Sequence, residues 1–238
     1  MVARKENFSC LLVNCIKLRI KNNIMKQFIL FFLCCLLLSP VFFSLALAEK
    51  PPETATQVVE QLDATLLECM KKGQELGFSG RYALLEPVMK KYFFYPLMVK
   101  KTTGSWWRSM TTSQQKELLE KYITWSIGSY ADRFSSYKGQ QFIIAATRPV
   151  HEKYMQVVVH IVKADKRKRI LEYLLARDPD KKLWRIVDVR VKGVSQLALT
   201  RAQFKSILKK QGVEGLLELL DDKIKKVAPA GYDFSVTQ

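Results

Sequence analysis

Gly193-Val194-Ser195-Gln196-Leu197 is where this sequence comes nearest to a nucleophile motif. A serine raised on a strand-to-helix elbow needs G-x-S-x-G within alternating βα units, so that its hydroxyl stands exposed. Here Leu197 replaces the second glycine, and the strand before it closes a run of consecutive strands. Ser195 therefore reads as part of a joint. Gly193 allows a tight turn, and the Ser195 hydroxyl serves nearby backbone groups. Metal chemistry has as little to work with. After residue 48 there remain His151, His160 and Cys69, without H-E-x-x-H or C-x-x-C spacing. Phosphate-cradling loops of the G-x-x-x-x-G-K-[ST] and G-x-G-x-x-G types are also missing. These residues imply no catalytic group, metal or cofactor. Cys69 lies in a helical pattern and reads as a small buried apolar side chain.

The densest run of charge is Lys163 to Arg169, "KADKRKR". An exported protein seldom meets nucleic acid, and the run reads first as a solvated hairpin tip. Its sign also suits an anionic headgroup surface or an acidic protein. Export is expected from the N-terminus. Met25-Lys26-Gln27 precedes the apolar run "FILFFLCCLLLSPVFFSLALA", which ends in Ala46-Leu47-Ala48. A basic start, an apolar middle and an A-x-A end describe a cleaved signal peptide over residues 1–48. Residues 1–24 read as an overrun before a start at Met25. Of 39 Lys and Arg against 22 Asp and Glu, residues 49–238 keep 33 and 21, a formal +12. They keep one cysteine, so no internal disulfide can form and the core alone must hold the fold.

Beyond a short tether at 49–54, the remaining 55–238 read as one domain. Val58, Val59, Leu62, Leu66, Leu67 and Met70 repeat at helical spacing between Ala55 and Leu76, and Gly77 ends that helix. A second helix spans about Arg81–Tyr92, with Pro87 predicting a kink or a break. "YFFYPLMVKK" is too aromatic for an exposed loop. Thr112 with Gln115 reads as a capping box for a helix reaching about Phe134. The period then shifts toward two. Strands are expected at about Gln140–Thr147, Lys153–Val162, Arg169–Arg177 and Leu183–Val191, with Pro149, Ala164-Asp165 and Asp178-Pro179-Asp180 in their connectors. Helices return at Thr200–Lys210 and Val213–Lys226, separated near Gly212. Short connectors make the strands an antiparallel meander. The class is α+β, with a four-stranded sheet packed by N- and C-terminal helices.

Several segments together resemble the MlaC or toluene-tolerance family of periplasmic phospholipid-binding proteins. They are Arg81-Tyr82 with Leu85-Glu86-Pro87 and "YFFYPLM"; Gly104-Ser105-Trp106-Trp107 with Thr112 and Gln115; "SYADRFSSYKG"; "LWRIVDVRVKGVSQLALTRAQF"; and "GVEGLLELLDDK". The likeness runs from about Val58 to Lys223. Two positions depart from the usual pattern: Phe94 stands where the family commonly has an aspartate, and Thr200 where it commonly has a tyrosine. Hopanoid-associated relatives share the "YADRF" segment, so a hopanoid is the alternative cargo.

The resemblance implies a curved sheet and helices enclosing an apolar pocket for acyl chains. It also implies a monomeric, non-enzymatic periplasmic shuttle between an outer-membrane lipoprotein complex and an inner-membrane ABC transporter complex. A non-transport periplasmic adaptor is the rival reading. Periodicity and resemblance together nominate a pocket lining of Phe93, Leu97, Trp106, Trp125, Tyr130, Phe142, Met155, Val157, Val159, Ile161, Tyr173, Val189, Leu197 and Phe204. On that reading Val159→Arg weakens lipid loading and leaves the fold largely formed.

Overall fold

The structure is a computed structural model and describes residues 54–180 and 182–234. The expected leader, and the tether as far as Glu53, lie outside the described residues. The first helix, α1 (Ala55–Lys71), opens on a capping box in which Thr54 and Gln57 satisfy each other's backbone N–H groups. Its apolar stripe of Val58, Val59, Leu62, Leu66 and Cys69 is fully buried. Burial pushes the Cys69 thiol up to about 11, which makes it a poor nucleophile.

Helix α2 (Gly73–Tyr92) is broken at Gly77, whose φ of 58° a side chain would oppose. Pro87 leaves it continuous, against the expected break: the non-helical backbone is at Gly77 alone. Gly73 fits closely against the backbone at Ser135, since a Cβ there would meet the Ser135 carbonyl oxygen at 1.9 Å. Beside that contact the buried Arg81 donates to the Ala131 carbonyl (2.7 Å) and the Gly73 carbonyl (2.6 Å). Its charge is thus spent on orphan carbonyls, tying α2 to α5 (Thr112–Arg133).

The aromatic segment is helix α3 (Tyr95–Thr103), with Pro96 in its first turn, where a missing N–H costs nothing. A single turn, α4 (Trp106–Ser109), follows. The box opening α5 is one residue earlier than expected: Thr111 and Gln114 form it. Gln115 instead donates to the carbonyls of Trp107 (2.7 Å) and Met110 (3.4 Å). Three consecutive residues that can cap, Thr111, Thr112 and Ser113, blur the register in the sequence.

The sheet is an antiparallel meander in the order β1-β2-β3-β4-β5. Its strands are β1 (Gln141–Pro149), β2 (Tyr154–Val162), β3 (Lys168–Arg177), β4 (Trp184–Val191) and β5 (Val194–Ser195). The expected count of four becomes five, because Val194 and Ser195 turn back onto β4 opposite Val191 and Arg190. Two residues leave no alternation to read. Pro149 ends β1 rather than sitting in a connector, as an edge strand permits. Register shifts at Ile144/Ala146 and at Leu174/Leu175 mark irregularities that bend the sheet.

Met155, Val157, Val159 and Ile161 of β2 face inward, opposite Leu175, Tyr173, Leu171 and Arg169 of β3. Helix α1 lies along this face. Thr56 bonds Thr147 at one end (2.9 Å), and Asp63 meets the Tyr173 hydroxyl midway (3.4 Å). Helix α6 (Gln196–Val227), interrupted at Gly212 (φ 68°), packs on α5, α3 and β4. Lys121 of α5 pairs with Asp221 of α6.

Candidate functional site

Ser195 is the N-cap of α6, and its Oγ accepts from the Ala198 N–H at 3.0 Å. Beside it the buried Asp188 carboxylate accepts from the Leu197 N–H, also at 3.0 Å. Two acceptors therefore serve the first turn of α6, where the helix dipole favours negative charge. The serine that resembled a nucleophile is occupied with holding a helix. Among the described residues no group of three or more His, Cys, Asp or Glu side chains is placed to hold a metal ion.

The helix so anchored forms one wall of a cavity of about 330 Å³. Three elements enclose it, and each shows one stripe of its own periodicity. Helix α5 contributes Tyr122, Trp125, Ser126, Ser129, Tyr130 and Arg133, spaced as one face of a helix. The sheet contributes Ile161, Leu171, Val189 and Val191, inward positions of β2, β3 and β4 in register. The first turns of α6 contribute Gln196, Leu197 and Thr200. Met70, Phe93 and Met98 close it where α1, α2 and α3 end or begin.

An unbroken series of ring contacts threads the wall. Phe142 meets Phe134 at 6.3 Å, Phe134 stacks on Tyr130 at 5.6 Å, and Tyr130 meets Phe93 edge-on at 5.7 Å. Phe93 stacks on Tyr95 (5.6 Å), which meets Tyr122 (6.1 Å); Tyr122 in turn touches Trp125 and Phe204. Polar atoms within this layer are already satisfied. The Tyr95 hydroxyl donates to Ser126 Oγ (3.2 Å), and Ser129 Oγ donates to the Trp125 carbonyl (2.7 Å). Burial pushes the Tyr122 and Tyr130 hydroxyls up, so both are neutral, although Arg133 opposes the shift at Tyr130.

Charge gathers at one end. Arg133 at the end of α5, Lys163 just after β2 and Arg169 in β3 all border the cavity. The loop after α5 lies against the β2–β3 hairpin there: a Cβ on Gly139 would be 3.2 Å from the Ala164 methyl. No carboxylate of the described residues lies within ion-pair distance of these three cations. The site is therefore an apolar, aromatic chamber with a cationic edge. It can hold hydrocarbon, and at that edge it can attract one or more negative oxygens.

Six of the nominated residues line the chamber: Phe93, Trp125, Tyr130, Ile161, Val189 and Leu197. Leu97 lies instead in a separate outer cleft with Phe94, Leu119 and Ile123. Val157, Val159, Tyr173 and Phe204 are fully buried in the packed core. Trp106, Phe142 and Met155 pack partly buried against that core. The nomination missed Met98, Tyr122, Phe134, Leu171 and Val191, and with them all three cations. The α5 stripe was readable in the sequence: extending it from Trp125 and Tyr130 by three or four residues reaches Tyr122 and Arg133.

A model of the family described as MlaC protein matches residues 60–222. A protein named intermembrane phospholipid transport system binding protein MlaC, from Haemophilus influenzae, is 26% identical over 119 residues. That match covers 49% of this chain and 56% of the relative, so the chain spans little more than half of that relative's length. A phospholipid-binding protein from Ralstonia solanacearum, solved in complex with a phospholipid, superposes with a TM-score of 0.63. The superposition covers 73% of this chain and 96% of that one at 18% identity, which carries the fold alone. The α+β architecture and the family match over most of the domain agree, and the chain belongs to the MlaC family.

Proposed function

We propose that this chain is a periplasmic carrier, exported through a cleaved signal peptide, that holds the acyl part of a phospholipid in the chamber and moves it between membranes. The observation that carries the reading is the pairing of an aromatic and aliphatic chamber with Arg133, Lys163 and Arg169 at one edge. Acyl chains stay in a bilayer because burial is worth about 0.8 kcal/mol per CH₂. A carrier must offer comparable burial and leave the phosphate near charge and water. At about 330 Å³ the chamber sits at the low end of ligand pockets, roughly 300–1,000 Å³. Two chains therefore require α5 and the sheet to move apart on loading. The cationic edge favours a phosphate-bearing lipid over a hopanoid, which offers it no such charge. A shuttle also needs docking partners. Family membership and the intermembrane transport system in the name of one relative support partner complexes at the two membranes. The resemblance implies an inner-membrane ABC transporter complex and an outer-membrane lipoprotein complex in those roles.

Native mass spectrometry of protein taken from the periplasmic fraction tests the proposal. A co-purifying mass that fragments as a phospholipid is expected. A bare protein mass after gentle handling would sink the carrier reading in favour of an adaptor, and a hopanoid mass would change the cargo.

A further inference from the structure

We propose that the rim of the chamber is a docking surface for an anionic bilayer, which the protein meets mouth-first. The first ground is the distribution of charge. Three segments border the cationic edge: 133–140, 163–170 and 190–201. Together they hold ten Lys and Arg and a single acid, Asp165. They account for nine of the formal +12 on residues 49–238, in 28 residues. Even Asp165 is spent locally, on the Arg167 guanidinium at 2.7 Å. The other 162 residues of that span are close to neutral.

The second ground is where apolar side chains are left in water. Among the described residues the exposed large ones are Tyr137 (42%), Ile143 (47%), Ile170 (46%), Val194 (48%) and Leu199 (54%). Tyr137, Ile170, Val194 and Leu199 each lie within two residues of a side chain on the cavity wall, one or two in each basic segment. Ile143 is on β1, opposite His160 and next to the pair Phe142–Ile161. Ile143 and Ile170 flank His160 on the face of the sheet turned away from the chamber, so it is Tyr137, Val194 and Leu199 that coincide with the surplus positive charge around the opening.

The pattern suits lipid better than protein. The core of a protein–protein interface is contiguous and depleted of charge. Here single apolar side chains stand on separate elements, Tyr137 on the loop after α5, Val194 on β5 and Leu199 on α6, with cations between them. A headgroup layer accepts that mixture, because long basic side chains reach phosphates while isolated apolar tips enter the acyl boundary. The proposal does not depend on what fills the chamber.

The test is sedimentation of the periplasmic protein with vesicles of phosphatidylglycerol or of phosphatidylcholine. Binding to the anionic vesicles is expected to be at least about ten-fold tighter and to fall as salt rises. Lys166→Glu at the hairpin tip with Lys168→Glu at the start of β3, both off the cavity wall, is expected to lower it about ten-fold. Leu199→Ser should lower it a few-fold on the same vesicles. Equal binding to both vesicle types, or no loss in the double variant, overturns the proposal. So does retention on immobilised polyglutamate without vesicle binding, which would make the rim a protein-docking surface. The lipid mass recovered with each variant reports the chamber separately, and the double variant is expected to keep it.

Discussion

The inner face of the sheet is continuous in sequence and divided in use. Toward the Met155 end, Val157, Val159, Tyr173 and Leu175 have no exposure, because α1 lies over them with Val58, Val59, Leu62 and Leu66. Toward the other end, Ile161, Leu171, Val189 and Val191 look into the chamber. Alternation is the same at both. What differs is the length of α1. It crosses the face from the Thr56–Thr147 bond past Asp63–Tyr173, and its last turn leaves Met70 in the cavity wall before the helix ends at Lys71. The chamber begins where that helix stops. An apolar strand face thus tells which side is buried but not whether side chains or empty space cover it.

The largest expected effect comes from placing a charge on each side of this divide. Val159 has no solvent exposure, so Val159→Arg buries an unpaired guanidinium and costs more than about 4 kcal/mol. The structure thereby replaces the expectation that this variant keeps its fold. It should fail to give a cooperative thermal transition. Thr200→Trp acts on the other side, filling the chamber from α6, where Thr200 is half-buried and its hydroxyl only returns to the Gln196 carbonyl. That variant should melt within about 1 kcal/mol of wild type and lose its co-purifying lipid. If the two behave alike, the division of the face is wrong.

How much of this was legible follows from the same contrast. Helix stripes such as Val58-Leu62-Leu66 and the inward set Met155 to Ile161 were readable because burial imposes a period. The break at Gly212 was readable because glycine is the residue that accepts a positive φ, and φ there is 68°. The six nominated residues that do line the chamber come from several elements, and the sequence offers no signal for their meeting. Arg133, Lys163 and Arg169 were missed for another reason. A charge run looks like any solvated hairpin until the loop after α5 is seen against it. Phe94, one of the two departures from the pattern the resemblance implies, places its ring 4.9 Å from the Arg185 guanidinium, whose Nε is buried and finds no acceptor among the described residues. Asp178 pairs with the same guanidinium through Nη1 (2.9 Å).

A smaller effect sharpens the account of the filled end. Asp63 sits on the sheet-facing side of α1 at 6% exposure, and burial pushes its carboxyl up to about 8, with the Tyr173 hydrogen bond opposing. A raised folded-state value means that the folded protein holds a proton the unfolded chain releases near pH 4. Stability is therefore fully present below pH 4 and falls as pH rises toward 8, at up to about 1.4 kcal/mol per unit. Asp63→Asn removes the titration and should flatten urea midpoints measured between pH 5 and 8. A slope unchanged in the variant would place the pH dependence elsewhere. Because Asp63 lies at the end α1 covers, the variant should keep its lipid.

The smallest effect concerns the joint that leads into the chamber wall. Ser195→Ala removes one of two acceptors at the start of α6 and leaves the Asp188 bond to Leu197 in place. A lost N-cap costs about 1 kcal/mol, and the retained carboxylate keeps the helix dipole compensated. The variant should show a modestly lower melting temperature and undiminished lipid loading. Incubation with phospholipid should release no free fatty acid in wild type or variant. Release in wild type that vanishes in Ser195→Ala would return the serine to chemistry, against an Oγ already held at 3.0 Å by the Ala198 N–H. The comparison would then fail at its most local point, with the wall of the chamber acting as well as enclosing.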